Sequence, residues 1–101
     1  MKALVFHKPK DVRVDDVPEP RITKPHEAIL KVTSAAICGS DLHILNGYFP
    51  QMRKQVLGHE FMGVIAEVGT EVTELKVGDR VVVPFCIRGG GCWFCARQVY
   101  A

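Results

Sequence analysis

The sequence predicts a small, mostly-β domain, a barrel or sandwich with short helices, and three observations carry that expectation. Several short runs are strand-like, two of them with polar and apolar side chains alternating, glycine and proline punctuate those runs, and a single stretch has the caps of a short helix. A chain of 101 residues has room for one domain, 1–101, with one modest core. Its apolar share of 48% and charged share of 24% are those of a folded globular domain, not a disordered chain.

Met1 to Phe6 is apolar and β-favouring and reads as the first strand. Asp11-Val12-Arg13-Val14-Asp15 alternates, the mark of a half-buried second strand, and Val17-Pro18-Glu19-Pro20 ends it because proline donates nothing to a ladder. Pro25-His26-Glu27 reads as a turn into a third strand, Ala28 to Ala35. The pattern then changes: Ser40 or Asp41 is a helix cap and Asn46-Gly47 a stop about two turns later. Tyr48 to Gln55 reads as a polar loop, and Phe61 to Val68 as a strand bracketed by Gly58, Gly63 and Gly69. Val77-Gly78-Asp79 is a turn signal leading into Arg80 to Pro84, whose β-branched run predicts a buried strand. From Cys86 onward, Gly89-Gly90-Gly91 and the cysteines predict an irregular lobe.

The net charge is +2, and basic residues occur singly or in short pairs such as Arg53-Lys54, which argues against nucleic-acid and membrane partners. No run approaches the roughly 18 apolar residues of a spanning helix. The apolar start at Met1 to Phe6 is too short for a secretory signal. The four cysteines, three of them between 86 and 95, are therefore expected as reduced thiols or metal ligands in the cytoplasm. Gly89-Gly90-Gly91 neither follows a strand nor opens a helix in the manner of a dinucleotide-binding turn, so these residues are expected to hold no coenzyme fold of their own.

Chemistry concentrates in Cys38-Gly39-Ser40-Asp41-Leu42-His43 and Gly58-His59-Glu60. Cys38 precedes a helix N-terminus, where amide N–H groups favour the metal-binding thiolate. Gly58 lets the backbone turn to aim His59, and Glu60 adds a carboxylate. Soft sulfur, imidazole and carboxylate are the donors of a zinc site with an open position. Asp41 is a candidate acceptor for the free ring N–H of His59. Ser40 and His43, three apart on one helix face, could pass a proton to solvent. Singly, each has a plainer reading: a buried cysteine is usually a small hydrophobe, and a single histidine is usually structural. His7 and His26 lack such company and read as surface residues.

Together these segments, with Phe61-Met62-Gly63, Val68-Gly69 and Val77-Gly78-Asp79-Arg80-Val81, resemble in order and spacing the N-terminal region of zinc-dependent medium-chain alcohol dehydrogenases. Val83-Pro84-Phe85 looks most like the glutathione-independent formaldehyde and alcohol dehydrogenase branch. The resemblance implies a GroES-like β-barrel catalytic domain, followed in family members by a Rossmann NAD(P)-binding domain, so that this chain reads as a C-terminally truncated piece. It implies that Cys38 and His59 are catalytic zinc ligands, Glu60 the carboxylate beside the metal, Asp41 the partner of His59, and Ser40 with His43 the proton relay, His43 also meeting the coenzyme. The implied substrate is a small alcohol or aldehyde, met by Ser40, Leu42, Tyr48 and Phe85.

Cys92-Trp93-Phe94-Cys95 is half of a structural zinc site by its spacing. The resemblance implies a four-cysteine lobe, yet Gly89 stands at the first of its positions and the fourth falls beyond Ala101. Cys86 is the candidate substitute; free thiols and a Cys92–Cys95 redox pair are the other readings. Two functions follow: the catalytic-domain portion of a dehydrogenase, inactive alone and awaiting a Rossmann partner, or a stand-alone, non-enzymatic zinc-binding or interaction barrel. Barrel surface left exposed also predicts self-association.

Overall fold

Eight short elements build the chain, and a computed structural model describes residues 1–87 and 89–99. Strands β1 (Lys2–Lys8), β2 (Asp11–Asp16) and β3 (Ala28–Ala35) precede helix α1 (Gly39–Leu45). Strands β4 (Gln55–Val56), β5 (Phe61–Val68) and β6 (Arg80–Val83) follow, and the one-turn helix α2 (Trp93–Ala96) comes last. The strands form two antiparallel three-stranded sheets, ordered β2-β1-β4 and β3-β5-β6. The mostly-β expectation thus holds, with its five longer strands where the sequence pattern put them. Two elements escape it. β4 is two residues at the end of the expected loop, made a strand only by pairing Val56 with Val5 of β1. In the lobe expected to be irregular, α2 is a single turn.

Burial follows position in the sheets. The buried hydrophobic residues among those described, Val5, Phe6 and Ile65, lie on β1 and β5, the central strand of each sheet, which neighbours flank on both sides. The valine run of β6 does not make it a buried strand as expected. β6 is an edge strand whose residues alternate: Val81 and Val83 are half-buried, while Val82 is 72% exposed. A β-branched run specifies an extended backbone, and burial depends on what lies across each face.

Two close approaches fix the second sheet. A Cβ at Gly63 would collide with the Lys31 carbonyl, and one at Gly69 with the Pro25 carbonyl, so these glycines admit β3 and the turn before it. That turn is knit by Glu27, whose Oε2 accepts from the Thr23 N–H (2.8 Å), the Thr23 hydroxyl (2.9 Å) and the Lys24 N–H (3.0 Å). The Thr23 amide, then its hydroxyl, hold the Glu27 carboxyl below the usual carboxylate range. The Glu27 and Pro25 carbonyls in turn accept from the Gly69 N–H (2.7 Å) and the Glu71 N–H (2.8 Å). His26 is exposed as expected; His7 is half-buried and pairs with Asp15, Nε2 to Oδ2 2.7 Å. Among the described residues no helix is long and apolar enough to cross a membrane.

Candidate metal centre

The β3–β5 ladder assembles the site. It pairs Ala35 with Phe61 and runs one residue further, where the Ala36 N–H donates to the Glu60 carbonyl at 3.0 Å. Chains leaving the same end of an antiparallel pair stay close, so Cys38 comes to His59 although α1 and a loop separate them in sequence. Backbone bonds hold both approaches: the Leu57 N–H donates to the Leu4 carbonyl at 2.9 Å, and the Lys10 N–H to the Leu45 carbonyl at 2.7 Å. Gly58 has φ +108°, the left-handed conformation glycine adopts without a Cβ penalty, and delivers His59 from β4 to its place.

The helix cap is Cys38, not Ser40 or Asp41 as the sequence suggested. Asp41 is the third helical residue, and its Oδ2 accepts from the Cys38 N–H at 2.9 Å, the reach-back of a capping box. A carboxylate here satisfies the cap's amide and lets Cys38 turn its side chain to the helix N-terminus. The other oxygen, Oδ1, lies 3.3 Å from His59 Nδ1, with the two side chains 15% and 22% exposed. One aspartate thus links the cap to the imidazole. Asp41 Oδ1 and, on the other side of the ring, His59 Nε2 are buried atoms without a hydrogen-bond partner.

One donor atom each from Cys38, His59 and Glu60 lies within 4.8 Å of the other two, and all three residues are partly buried. Among the described residues this is the one group of three or more such side chains so arranged. The Ser40 amide first, then His59, draw the Cys38 thiol below its ordinary pKa, against the smaller opposing effects of burial and Glu60. The Cys38 sulfur raises the proton affinity of His59 more than burial lowers it, and Asp41 adds to the rise. The cluster therefore favours a thiolate beside a nitrogen base, with one buried ring nitrogen unpartnered. That orphaned atom and this donor set fit a divalent metal ion.

Ser40 belongs to the same place, its hydroxyl 3.7 Å from the Cys38 sulfur. With Asp41 and His59 it lines a cleft of about 320 Å³ whose apolar wall includes Phe49, Met52 and Phe85. Phe85 meets the His59 ring edge-on at 5.1 Å. His43 is exposed on the solvent side, its ring edge-on to Tyr48 at 5.1 Å. Of the expected lining residues, Ser40 and Phe85 are present. Leu42 faces a separate groove with Leu4 and Val12, and Tyr48 packs on His43. Phe49 and Met52 were missed; as apolar residues in an otherwise polar loop they were the available signal.

The cysteine lobe is arranged differently. Cys92 caps α2, its sulfur 3.3 Å from that of Cys95 and accepting from the Cys95 N–H at 3.5 Å. That amide is the main reason the Cys92 thiol sits below its ordinary pKa. The structure does not bring Cys86 to them. It is exposed on the segment after β6, beyond the Gly89–Gly91 loop, and the three sulfurs form no ligand group.

Residues 24–101 match the alcohol dehydrogenase GroES-like domain. The chain is 53% identical to a zinc-type alcohol dehydrogenase-like protein, AdhB, of Bacillus subtilis, over 98% of this chain and 26% of that one. It is 38% identical to the glutathione-independent formaldehyde dehydrogenase of Pseudomonas aeruginosa, over 96% of this chain and 26% of that one. The solved alcohol dehydrogenase TADH from Thermus sp. ATN1 superposes with a TM-score of 0.90 at 44% identity, covering 99% of this chain and 29% of that one. The chain thus spans about a quarter of the length of the curated relatives it matches. Sequence, sheet topology and superposition agree: this chain belongs to the alcohol dehydrogenase GroES-like domain family.

Proposed function

We propose that residues 1–101 are the metal-binding, catalytic-domain portion of a zinc-dependent, NAD(P)-linked dehydrogenase that interconverts small alcohols and their carbonyl compounds by hydride transfer. The observation that carries this reading is the convergence of Cys38, His59 and Glu60 around a buried, unpartnered His59 nitrogen. Cys38 and His59 would hold zinc, with Glu60 as a third donor. Asp41 faces Nδ1, which fixes the ring proton there and leaves Nε2 for the metal. When bound, zinc supplies a Lewis acid that lowers the pKa of an alcohol hydroxyl.

The chain's own residues then have separate tasks. The apolar wall of Phe49, Met52 and Phe85 holds the carbon skeleton of a small alcohol or aldehyde against the cluster and sheds water. Ser40, beside Cys38, takes the hydroxyl proton, and His43, exposed one helical turn on, delivers it to solvent and meets the coenzyme side of the cleft. Oxidation of an alcohol also needs a hydride acceptor, a role that a nicotinamide coenzyme fills. The relatives carry roughly three further quarters of sequence, so hydride transfer is assigned to the longer architecture. The 101 residues alone bind zinc without turning over alcohol. A reducing cytoplasm suits thiolate ligands of this kind.

Metal analysis of the purified chain tests the site. Zinc is expected in the wild type and lost from Cys38→Ala and His59→Ala; equal zinc in all three sinks the assignment. Alcohol-dependent reduction of NAD+ or NADP+ by the isolated chain would overturn the division of labour.

A further inference from the structure

Outside the metal cluster, one pair of nucleophilic side chains is already in contact. We propose that Cys92 and Cys95 form a reversible dithiol–disulfide site, with Cys92 the attacking thiol and Cys95 the thiol that resolves the mixed disulfide.

Three observations support it. The two sulfurs are 3.3 Å apart, so closure to an S–S bond of roughly 2.05 Å needs only about 1.3 Å of travel. Two thiolates on one tetrahedral zinc, at about 2.3 Å each, stand roughly 3.8 Å apart, so the pair already lies inside that spacing. Next, the two cysteines differ in role. Cys92 is exposed and accepts from the Cys95 N–H at 3.5 Å, whereas Cys95 is the more sheltered of the two. Last, among the described residues no third His, Cys, Asp or Glu joins the pair at ligand distance, Cys86 included.

The co-reactant is a low-molecular-weight disulfide of the glutathione type. The Cys92 thiolate attacks one of its sulfurs; that S–S bond breaks, one glutathione leaves as a thiolate and is protonated, and Cys92 carries the other. The Cys95 thiolate then attacks the Cys92 sulfur, and the second glutathione leaves. Two protein thiols have lost two electrons and two protons, and the oxidant has become two thiols.

The full chain, freed of metal with a chelator, is equilibrated with oxidised glutathione, alkylated and mapped by peptide mass spectrometry. The expected result is loss of two of the four alkylatable thiols as a Cys92–Cys95 disulfide, restored by reduced glutathione. Cys95→Ser should trap glutathione on Cys92, and Cys86→Ser should change nothing at the pair. Full alkylation of Cys92 and Cys95 in the wild type, a stable glutathione adduct on wild-type Cys92, or a disulfide joining Cys86 to either would each overturn the proposal. The wild-type cross-link is read independently of whether any variant folds.

Discussion

The two sulfur sites of this chain are built on opposite principles. At the first, Cys38, His59 and Glu60 come from separated segments, and a strand ladder, a helix cap and Asp41 hold them together. At the second, Cys92 and Cys95 are brought together by one helical turn, with a backbone amide as their support. A site assembled by tertiary structure can collect unlike donors and bury them. A site made by local geometry offers two like groups at the surface. The first arrangement suits a metal ion that must stay put, and the second suits chemistry between the two sulfurs.

This contrast can be broken most forcefully at Gly63. Gly63→Ala drives a methyl group into the Lys31 carbonyl, and the strain of such overpacking is about 1–3 kcal/mol. Chemical denaturation should show that loss, and zinc uptake at Cys38 and His59 should weaken with it, while alkylation of Cys92 and Cys95 stays at its wild-type rate. Parallel loss of both properties would mean that the sites are not independent.

A smaller, more local effect is expected from Asp41→Asn. The amide oxygen can still accept from the Cys38 N–H, but the charge beside His59 Nδ1 is gone. Loss of such a partner typically weakens metal binding roughly 10–100-fold. Competition with a chromogenic chelator would measure it, and unchanged affinity would remove Asp41 from the site.

Glu27→Gln should be the mildest. The Glu27 carboxyl is held low by the Thr23 amide and hydroxyl and by the Lys24 amide, so its folded pKa lies below its unfolded one. Its stabilisation is therefore complete above the ordinary carboxylate range and disappears as pH falls through the lower folded value. Urea midpoints of wild type and variant should differ at neutral pH and converge in acid. A gap that persists in acid would assign the effect to packing. The loss should reach the first site, because Glu27 anchors the β3–β5 frame, and leave the cysteine pair unaffected.

Much of the chain was legible before folding. Alternation in Asp11–Asp15 and in Ala28–Ala35, and the caps around Gly39–Leu45, locate their elements within a residue or two. Local sterics and side-chain period decide those states, and both are written in neighbouring residues. β4 was not legible, because two residues become a strand only when β1 lies beside them. The exposure of Val82, the pairing of His7 with Asp15 and the placing of Phe49 and Met52 beside His59 were equally hidden, since each depends on residues distant in sequence.

The sequence by itself determined the strand-rich class, the identity of the donors at 38, 59 and 60, and the nearness of Cys92 to Cys95, because spacing within a turn or a strand fixes local geometry. Tertiary structure alone decided that Cys38 meets His59, that Asp41 serves both the cap and the imidazole, and that Cys86 stays away from the pair. The register of β3 against β5 is set by the summed packing of whole faces, and no single segment carries that information.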